Sequence, residues 1–353
     1  MVNISFPGLG IPEFQLNPVA FSIGNISVRW YGIIITLGII LAFLYCAYRT
    51  KQENIIFDDL IDIAIFTIIF AVIGARTYYV LTSLDKYDSF YEMIAIWEGG
   101  IAIYGAIIAG AITVFCVCKY KKINCLKMMD AAAPSVMIGQ ILGRWGNFFN
   151  GEAHGGVVPE DSVFYFIRMG LYPNDVEGVR GMAYVHPTFL YESIWNLVGF
   201  IIINALYKKK KFDGQVLLMY ITWYGFGRMI IEGLRTDSLY VGVFRISQVV
   251  GFACFAVGAI LLTVNLVKAR RLKLDENEYV PTYAKISQNR LETVANQTKE
   301  EFSSTVEIDN NDEIDEDDAS DDEEEKEKDS APSASSLSDD EIANKINNIF
   351  DNK

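Results

Sequence analysis

At 353 residues, 51% of them hydrophobic, with a mean hydropathy of +0.22 and a formal net charge of −14, the chain is too apolar for an ordinary soluble protein. Its acidity is confined to one end: residues 271–353 hold 25 Asp/Glu against 9 Lys/Arg, while the first 270 hold 19 against 21, so the charge describes a tail and not a body. No basic face supports nucleic-acid binding, and the five cysteines (Cys46, Cys116, Cys118, Cys125, Cys254) lack both metal-ligand spacing and the density of a disulfide scaffold, so no metal or other cofactor is expected.

A bilayer core about 30 Å thick takes roughly 20 mostly apolar residues per helix. Seven stretches meet that length: 28–48, 57–82, 101–119, 128–149, 187–207, 214–233 and 243–267. No basic region precedes the first, which is long enough to span, so it reads as an uncleaved anchor. Basic residues sort onto alternate connections: Arg49 and Lys51, then Lys119, Lys121, Lys122 and Lys127, then Lys208 to Lys211, then Lys268, Arg270, Arg271 and Lys273. The intervening segments carry only Lys86, Arg168, Arg180 and Arg235. This pattern predicts an N-terminus outside and a C-terminus inside. From Asp275 onward the composition is that of a disordered acidic cytoplasmic tail. Near its end, Ser338 to Glu341 followed by Ile342, Ile346, Ile349 and Phe350 resembles a capping box opening a short amphipathic helix, a candidate docking motif. The expected organisation is an all-α, seven-helix membrane catalytic domain over 1–270 and a disordered tail over 271–353.

Ionisable side chains inside a span cost roughly 2.5 to 3.5 kcal/mol each on the insertion scale, so their depth is informative. With the predicted topology, Arg76, the segment Gly143 to Glu152, and the series Tyr224, Arg228, Glu232 and Arg235 lie where helices approach the outer face. Tyr31, Tyr104, His186, Tyr191 and Glu192 lie where helices leave it. Three arginines and two glutamates in one leaflet would cost on the order of 10 kcal/mol unpaired, which places them around a shared polar cavity. Tyr224, Arg228, Glu232 and Arg235 occupy one helical face, as do Arg144 and Asn147. A salt-bridge network accounts for Arg228 with Glu232. Three arginines against few acids leave positive charge seeking an anion, and at headgroup depth a lipid phosphate matches arginine forks. The glycines at 99, 100, 143, 146, 151, 155 and 156 permit close backbone approach to a ligand or to one another.

Over roughly residues 15–267 the chain resembles the prolipoprotein diacylglyceryl transferases. The segment Gly143-Arg144-Trp145-Gly146-Asn147-Phe148-Phe149-Asn150-Gly151-Glu152 resembles that family's signature. Trp30-Tyr31-Gly32, Gly74-Ala75-Arg76, Trp97-Glu98-Gly99-Gly100, His186-Pro187-Thr188-Phe189-Leu190-Tyr191-Glu192 and Gly227-Arg228 with Glu232 and Arg235 follow in the family's order. The resemblance implies transfer of diacylglycerol from phosphatidylglycerol to the lipobox cysteine of a preprolipoprotein in the bacterial plasma membrane, forming a thioether and releasing glycerol phosphate. It implies Arg144 and Arg228 as holders of the lipid phosphate. It carries Tyr31, Asn147, Glu152, Gly155, Tyr224 and Glu232 into the site, beside Arg76 and Arg235 as substrate-binding and Tyr104 as catalytic candidates. Many members place a histidine where this chain has Tyr104. His154 and His186 are the remaining histidines, and Tyr31, Tyr104 and Glu232 are candidate proton relays. A thiol with a pKa of roughly 8.5 is already a few per cent thiolate at neutral pH, so a positively charged cavity could activate it without a histidine base.

The alternative is a seven-helix lipid- or anion-binding receptor or transporter without transferase activity. Transporters commonly show repeated halves with broken helices at midplane, and no internal repeat is visible here. An intramembrane hydrolase is disfavoured by the lack of Gly-x-Ser-x-Gly or His-Glu-x-x-His, and by Asp59, Asp62 and Asp130 falling on the cytoplasmic side.

Overall fold

The computed structural model describes residues 1–24, 26–172, 181–273 and 296. Every described residue except Asn296 belongs to one compact unit, Met1–Val294; a second unit comprises Ala295–Lys353. The expected tail from Asp275 and its Ser338–Phe350 motif therefore lie outside the described residues, as does Arg180.

Each of the seven apolar stretches folds as a helix: α1 (Trp30–Gln52), α2 (Phe57–Leu81), α4 (Ile103–Tyr120), α5 (Cys125–Asn150), α6 (Thr188–Tyr207), α7 (Gln215–Ile231) and α8 (Ile246–Lys273), with a short α3 (Phe90–Ile94) between α2 and α4. Five of these (α1, α2, α4, α6 and most of α8) are long and apolar enough to cross a membrane. The two outside that set are α5, which carries Lys127, Asp130 and Arg144, and α7, which has 17 residues. Caps explain where boundaries moved: Asn124 accepts from the backbone N–H groups of Leu126 and Lys127, starting α5 earlier than expected, and Gly151 in the left-handed region ends it.

The expectation of an all-α body needs correction. Strands β1 (Val2–Phe6), β2 (Ile11–Leu16), β5 (Met169–Leu171) and β6 (Ala183–Val185) form a four-stranded sheet in the order β2-β1-β5-β6. Two hairpins, β3 (Val19–Ile23) with β4 (Ile26–Arg29) and β7 (Tyr240–Val241) with β8 (Phe244–Arg245), precede α1 and α8. The sheet buries Ile4, Phe6, Met169, Leu171 and Val185 against Phe189 at the start of α6 and Phe148 near the end of α5. This packing ties the sheet to the end of the helices that holds the signature segment. Strands of three to six residues leave little periodicity to read, and the β1–β5 pairing that joins the two halves of the sheet is long-range.

Among the helices, α7 packs most extensively on α8, α1 on α5, and α2 on α4. Gly74 and Gly105 allow the last contact: a Cβ on either would collide with the other's carbonyl. The opposite end is closed by ion pairs. Lys121 bridges Asp59 at 2.7 Å and Asp62 at 2.5 Å. Lys210, fully buried, reaches Glu53 at 2.6 Å and Asp130 at 3.3 Å. Asp130 also accepts from the N–H groups of Gly214 and Leu217, capping α7 from across the bundle. Burial by itself would lower the pKa of Lys210, but Asp130 and Glu53 hold it above the ordinary lysine value.

Candidate functional site

The signature segment places Arg144 on the last two turns of α5, where it meets α6 and α7. Glu192, one turn into α6 and 3% exposed, is the hub. One carboxylate oxygen contacts the Arg144 Nε and the other a terminal nitrogen of Arg228. Arg228 in turn reaches Glu232 at 2.6 Å, as the i, i+4 spacing predicted. Glu232 is 2% exposed and lies 3.9 Å from Arg235, which binds Asp237 through two nitrogens at 2.9 and 2.6 Å. Charges from three helices and the turn after α7 thus form one chain.

The arginine surplus expected from the sequence is not what the structure holds. Arg76 is buried and donates to the carbonyls of Glu92, Met93, Gly99 and Gly100, so it folds the 90–100 segment onto α2 and does not join the cluster. The remaining Arg144, Arg228 and Arg235 are matched by Glu192, Glu232 and Asp237. Unmatched hydrogen-bonding capacity replaces unmatched charge. Arg144, with a side chain 23% exposed, uses Nε on Glu192 and one terminal nitrogen on Asn147 at 3.3 Å. Its other terminal nitrogen has no protein partner among the described residues.

Asn147 relays onward: its amide donates to Glu152 at 3.1 Å, which Asn150 also reaches at 3.1 Å. After Glu152 the chain turns back beneath the cluster. The Gly155 N–H donates to the His186 carbonyl, and the Gly156 N–H to the Leu234 carbonyl, each at 2.9 Å. A Cβ on Gly155 would lie 2.7 Å from that of His186 and 2.8 Å from the Leu234 oxygen, so only glycine fits between the starts of α6 and the turn after α7. His186 serves through its backbone here. Its Nδ1 lies 3.2 Å from the Tyr191 hydroxyl, and burial lowers its pKa. His154 is buried, with Nδ1 3.0 Å from the Gly155 carbonyl oxygen.

The tyrosines separate by environment. Tyr104 shares a 2.7 Å hydrogen bond with Ser247 at the start of α8. Tyr224 stacks on Tyr220 at 5.8 Å, within electrostatic reach of Glu192, Arg228, Arg144 and Tyr104. Tyr31, 38% exposed, lies against Gly146, and its hydroxyl has no protein hydrogen-bond partner among the described residues. The structure therefore gathers Arg144, Asn147, Glu152, Gly155, Tyr224, Arg228, Glu232 and Arg235 at one end, with Tyr31 and Tyr104 bordering them. The sequence places Glu192 among the polar residues where helices leave the outer face but not among the site residues, although an acid at the head of a span beside unmatched arginines was the available signal. Among the described residues, no group of acids, cysteines and histidines is arranged to hold a metal ion.

Residues 18–264 match the family described as prolipoprotein diacylglyceryl transferase. The phosphatidylglycerol–prolipoprotein diacylglyceryl transferase 1 of Clostridium perfringens is 46% identical over 263 residues, covering 72% of this chain and 98% of the relative. A phosphatidylglycerol–prolipoprotein diacylglyceryl transferase of Clostridium botulinum is 42% identical over 260 residues, covering 72% and 99%. One from Streptococcus equi subsp. zooepidemicus is 42% identical over 252 residues, covering 70% and 95%.

Proposed function

The chain belongs to the prolipoprotein diacylglyceryl transferase family, and from that membership we infer how its residues transfer a diacylglyceryl group from phosphatidylglycerol to a prolipoprotein. Seven spans cross the bacterial plasma membrane with the four-stranded sheet outside, so that the arginine cluster meets headgroups of the outer leaflet. The acceptor is the lipobox cysteine thiol. The observation that carries this reading is Glu192 joining Arg144 of α5 to Arg228 of α7, with an edge of Arg144 left open.

The open Arg144 edge and the remaining N–H groups of Arg228 bind the lipid phosphate, while Glu192 aims both guanidinium groups and Glu232 holds Arg228 from behind. Hydrogen bonds from the same guanidinium N–H groups favour the thiolate form of the acceptor cysteine and so lower its pKa. The thiolate sulfur attacks the glyceryl carbon that bears the phosphate. The C–S bond forms, the C–O bond breaks, and its electron pair leaves on the phosphate oxygen as glycerol phosphate. Negative charge grows on that oxygen in the transition state, where fixed guanidinium donors are worth most. The thiol proton passes to the departing phosphate, a monoester whose second pKa is about 6. Tyr31 is the best-placed relay, because Tyr104 is engaged by Ser247 and Glu232 by two arginines.

The test is direct. Purified protein in lipid is mixed with phosphatidylglycerol and a peptide bearing a lipobox cysteine, and the peptide is followed by mass spectrometry. A gain of one diacylglyceryl mass that Arg144→Ala abolishes is expected. An unmodified peptide with phosphatidylglycerol still bound would leave a lipid-binding protein without transferase chemistry.

A further inference from the structure

Helices α6 and α7 carry the same short pattern: Trp195 and Gly199 are four apart on one, Trp223 and Gly227 four apart on the other. The helices run antiparallel, and the two patterns engage reciprocally. The Trp195 indole N–H donates to the Trp223 carbonyl, and the Trp223 indole N–H donates to the Trp195 carbonyl, each at 3.0 Å. The rings stack with centroids 4.4 Å apart and planes 17° from parallel. Trp195 lies on Gly227 and Trp223 on Gly199, so closely that a Cβ on either glycine would fall within the facing indole.

Burying apolar surface does little to hold two helices together in a bilayer, where lipid tails are as apolar as the side chains. Register must come from close packing and hydrogen bonds. This clasp supplies both, in a form that admits one alignment, since sliding either helix takes a ring off its glycine and an indole N–H off its carbonyl. Glu192 is one turn outward from Trp195, and Arg228 is next to Gly227. The clasp thus sits directly below the Glu192–Arg228 contact, and one helical turn is 5.4 Å, more than an ion pair can stretch.

We propose that Trp195 and Trp223, seated on Gly227 and Gly199, are positioning residues for the transfer reaction, holding α6 and α7 in the register at which Glu192 aims Arg144 and Arg228 at the lipid phosphate. The proposal rests on the phosphate-binding reading given above. The four residues act through Glu192 and Arg228.

Compensating variants, assayed for kcat and for KM toward phosphatidylglycerol and normalised to folded protein by thermal melting, provide the test. Gly227→Ala is expected to raise KM and lower kcat/KM by about tenfold or more, because misplacement by even an ångström carries such penalties. Adding Trp195→Phe, which shortens the ring facing that glycine, restores activity to the level of Trp195→Phe alone. Adding Trp223→Phe does not. Gly199→Ala shows the mirrored pattern, rescued by Trp223→Phe only. If Gly227→Ala does not fold, Trp195→Phe and Trp223→Phe alone still answer, since each removes one indole donor and is expected to raise KM. Rescue by either phenylalanine alike, or losses in kcat and melting temperature with KM unchanged, would overturn the proposal and leave a packing contact. Glu192→Gln separates the two readings. Wild-type KM and kcat in that variant would remove the phosphate-binding reading itself, whereas an impaired Glu192→Gln beside a silent clasp would remove only the positioning role.

Discussion

Glu192 is almost fully buried and holds two guanidinium groups, which makes it the residue on which the site's geometry turns. Removing any member of this buried set leaves an uncompensated charge, which is costly. Arg144 is the member with a free edge, and its planar fork is what a phosphate needs. Arg144→Lys is therefore expected to lower kcat/KM by about a hundredfold although charge is kept, since a point charge cannot serve Glu192, Asn147 and a phosphate oxygen together. Wild-type kinetics in that variant would mean that charge alone suffices. His186 has a different consequence. Burial holds its pKa below the ordinary 6.5, so as pH falls the unfolded chain takes up the proton first. Stability is full above that ordinary value and declines as pH drops from it toward the folded value. His186→Asn is expected to flatten the fall in melting temperature between about pH 7 and 5; an unchanged slope would assign it to other groups.

At the scale of elements, the two helices least suited to lipid, α5 and α7, supply Arg144 and Arg228. Each is capped or clamped at its far end by Asp130, which lies on α5 and accepts from the first turn of α7. Lys210 neutralises that carboxylate together with Glu53. Lys210→Ala leaves two buried acids facing each other without a cation, a loss of about 3–5 kcal/mol. Its expected signature is a large drop in melting temperature, measured in detergent, with KM for phosphatidylglycerol unchanged in the protein that remains folded. An altered KM would show that the far end of α7 communicates with the site. Arg76 illustrates the same scale. Its depth marked it as a headgroup ligand, yet its position opposite the 90–100 segment gives it four backbone carbonyls instead.

For the whole molecule, all described site residues fall between Tyr31 and Ser247, and the family match ends at residue 264. Removing residues 276–353 is accordingly expected to leave kcat/KM within about twofold, read with the same peptide assay; a larger loss would give the acidic segment a part in turnover. Much of this protein was legible in the chain itself. Apolar length marked the stretches that fold as helices, five of them long and apolar enough to cross a membrane. The i, i+4 spacing marked Arg228 with Glu232, and the signature segment marked Arg144, Asn147 and Glu152. The first is a local property, readable from spacing along one helix; the second is what the resemblance to the family implied. Tertiary structure decided the rest: the sheet that joins β1 to strands more than 160 residues away, the withdrawal of Arg76 from the cluster, and the choice of Glu192 as the acid between Arg144 and Arg228. Each of those depends on which helix faces which, and at what height. Hydrophobic periodicity is silent on that, because every helix in a bilayer is apolar toward lipid, and only close contacts such as Trp195 on Gly227 set one helix against another.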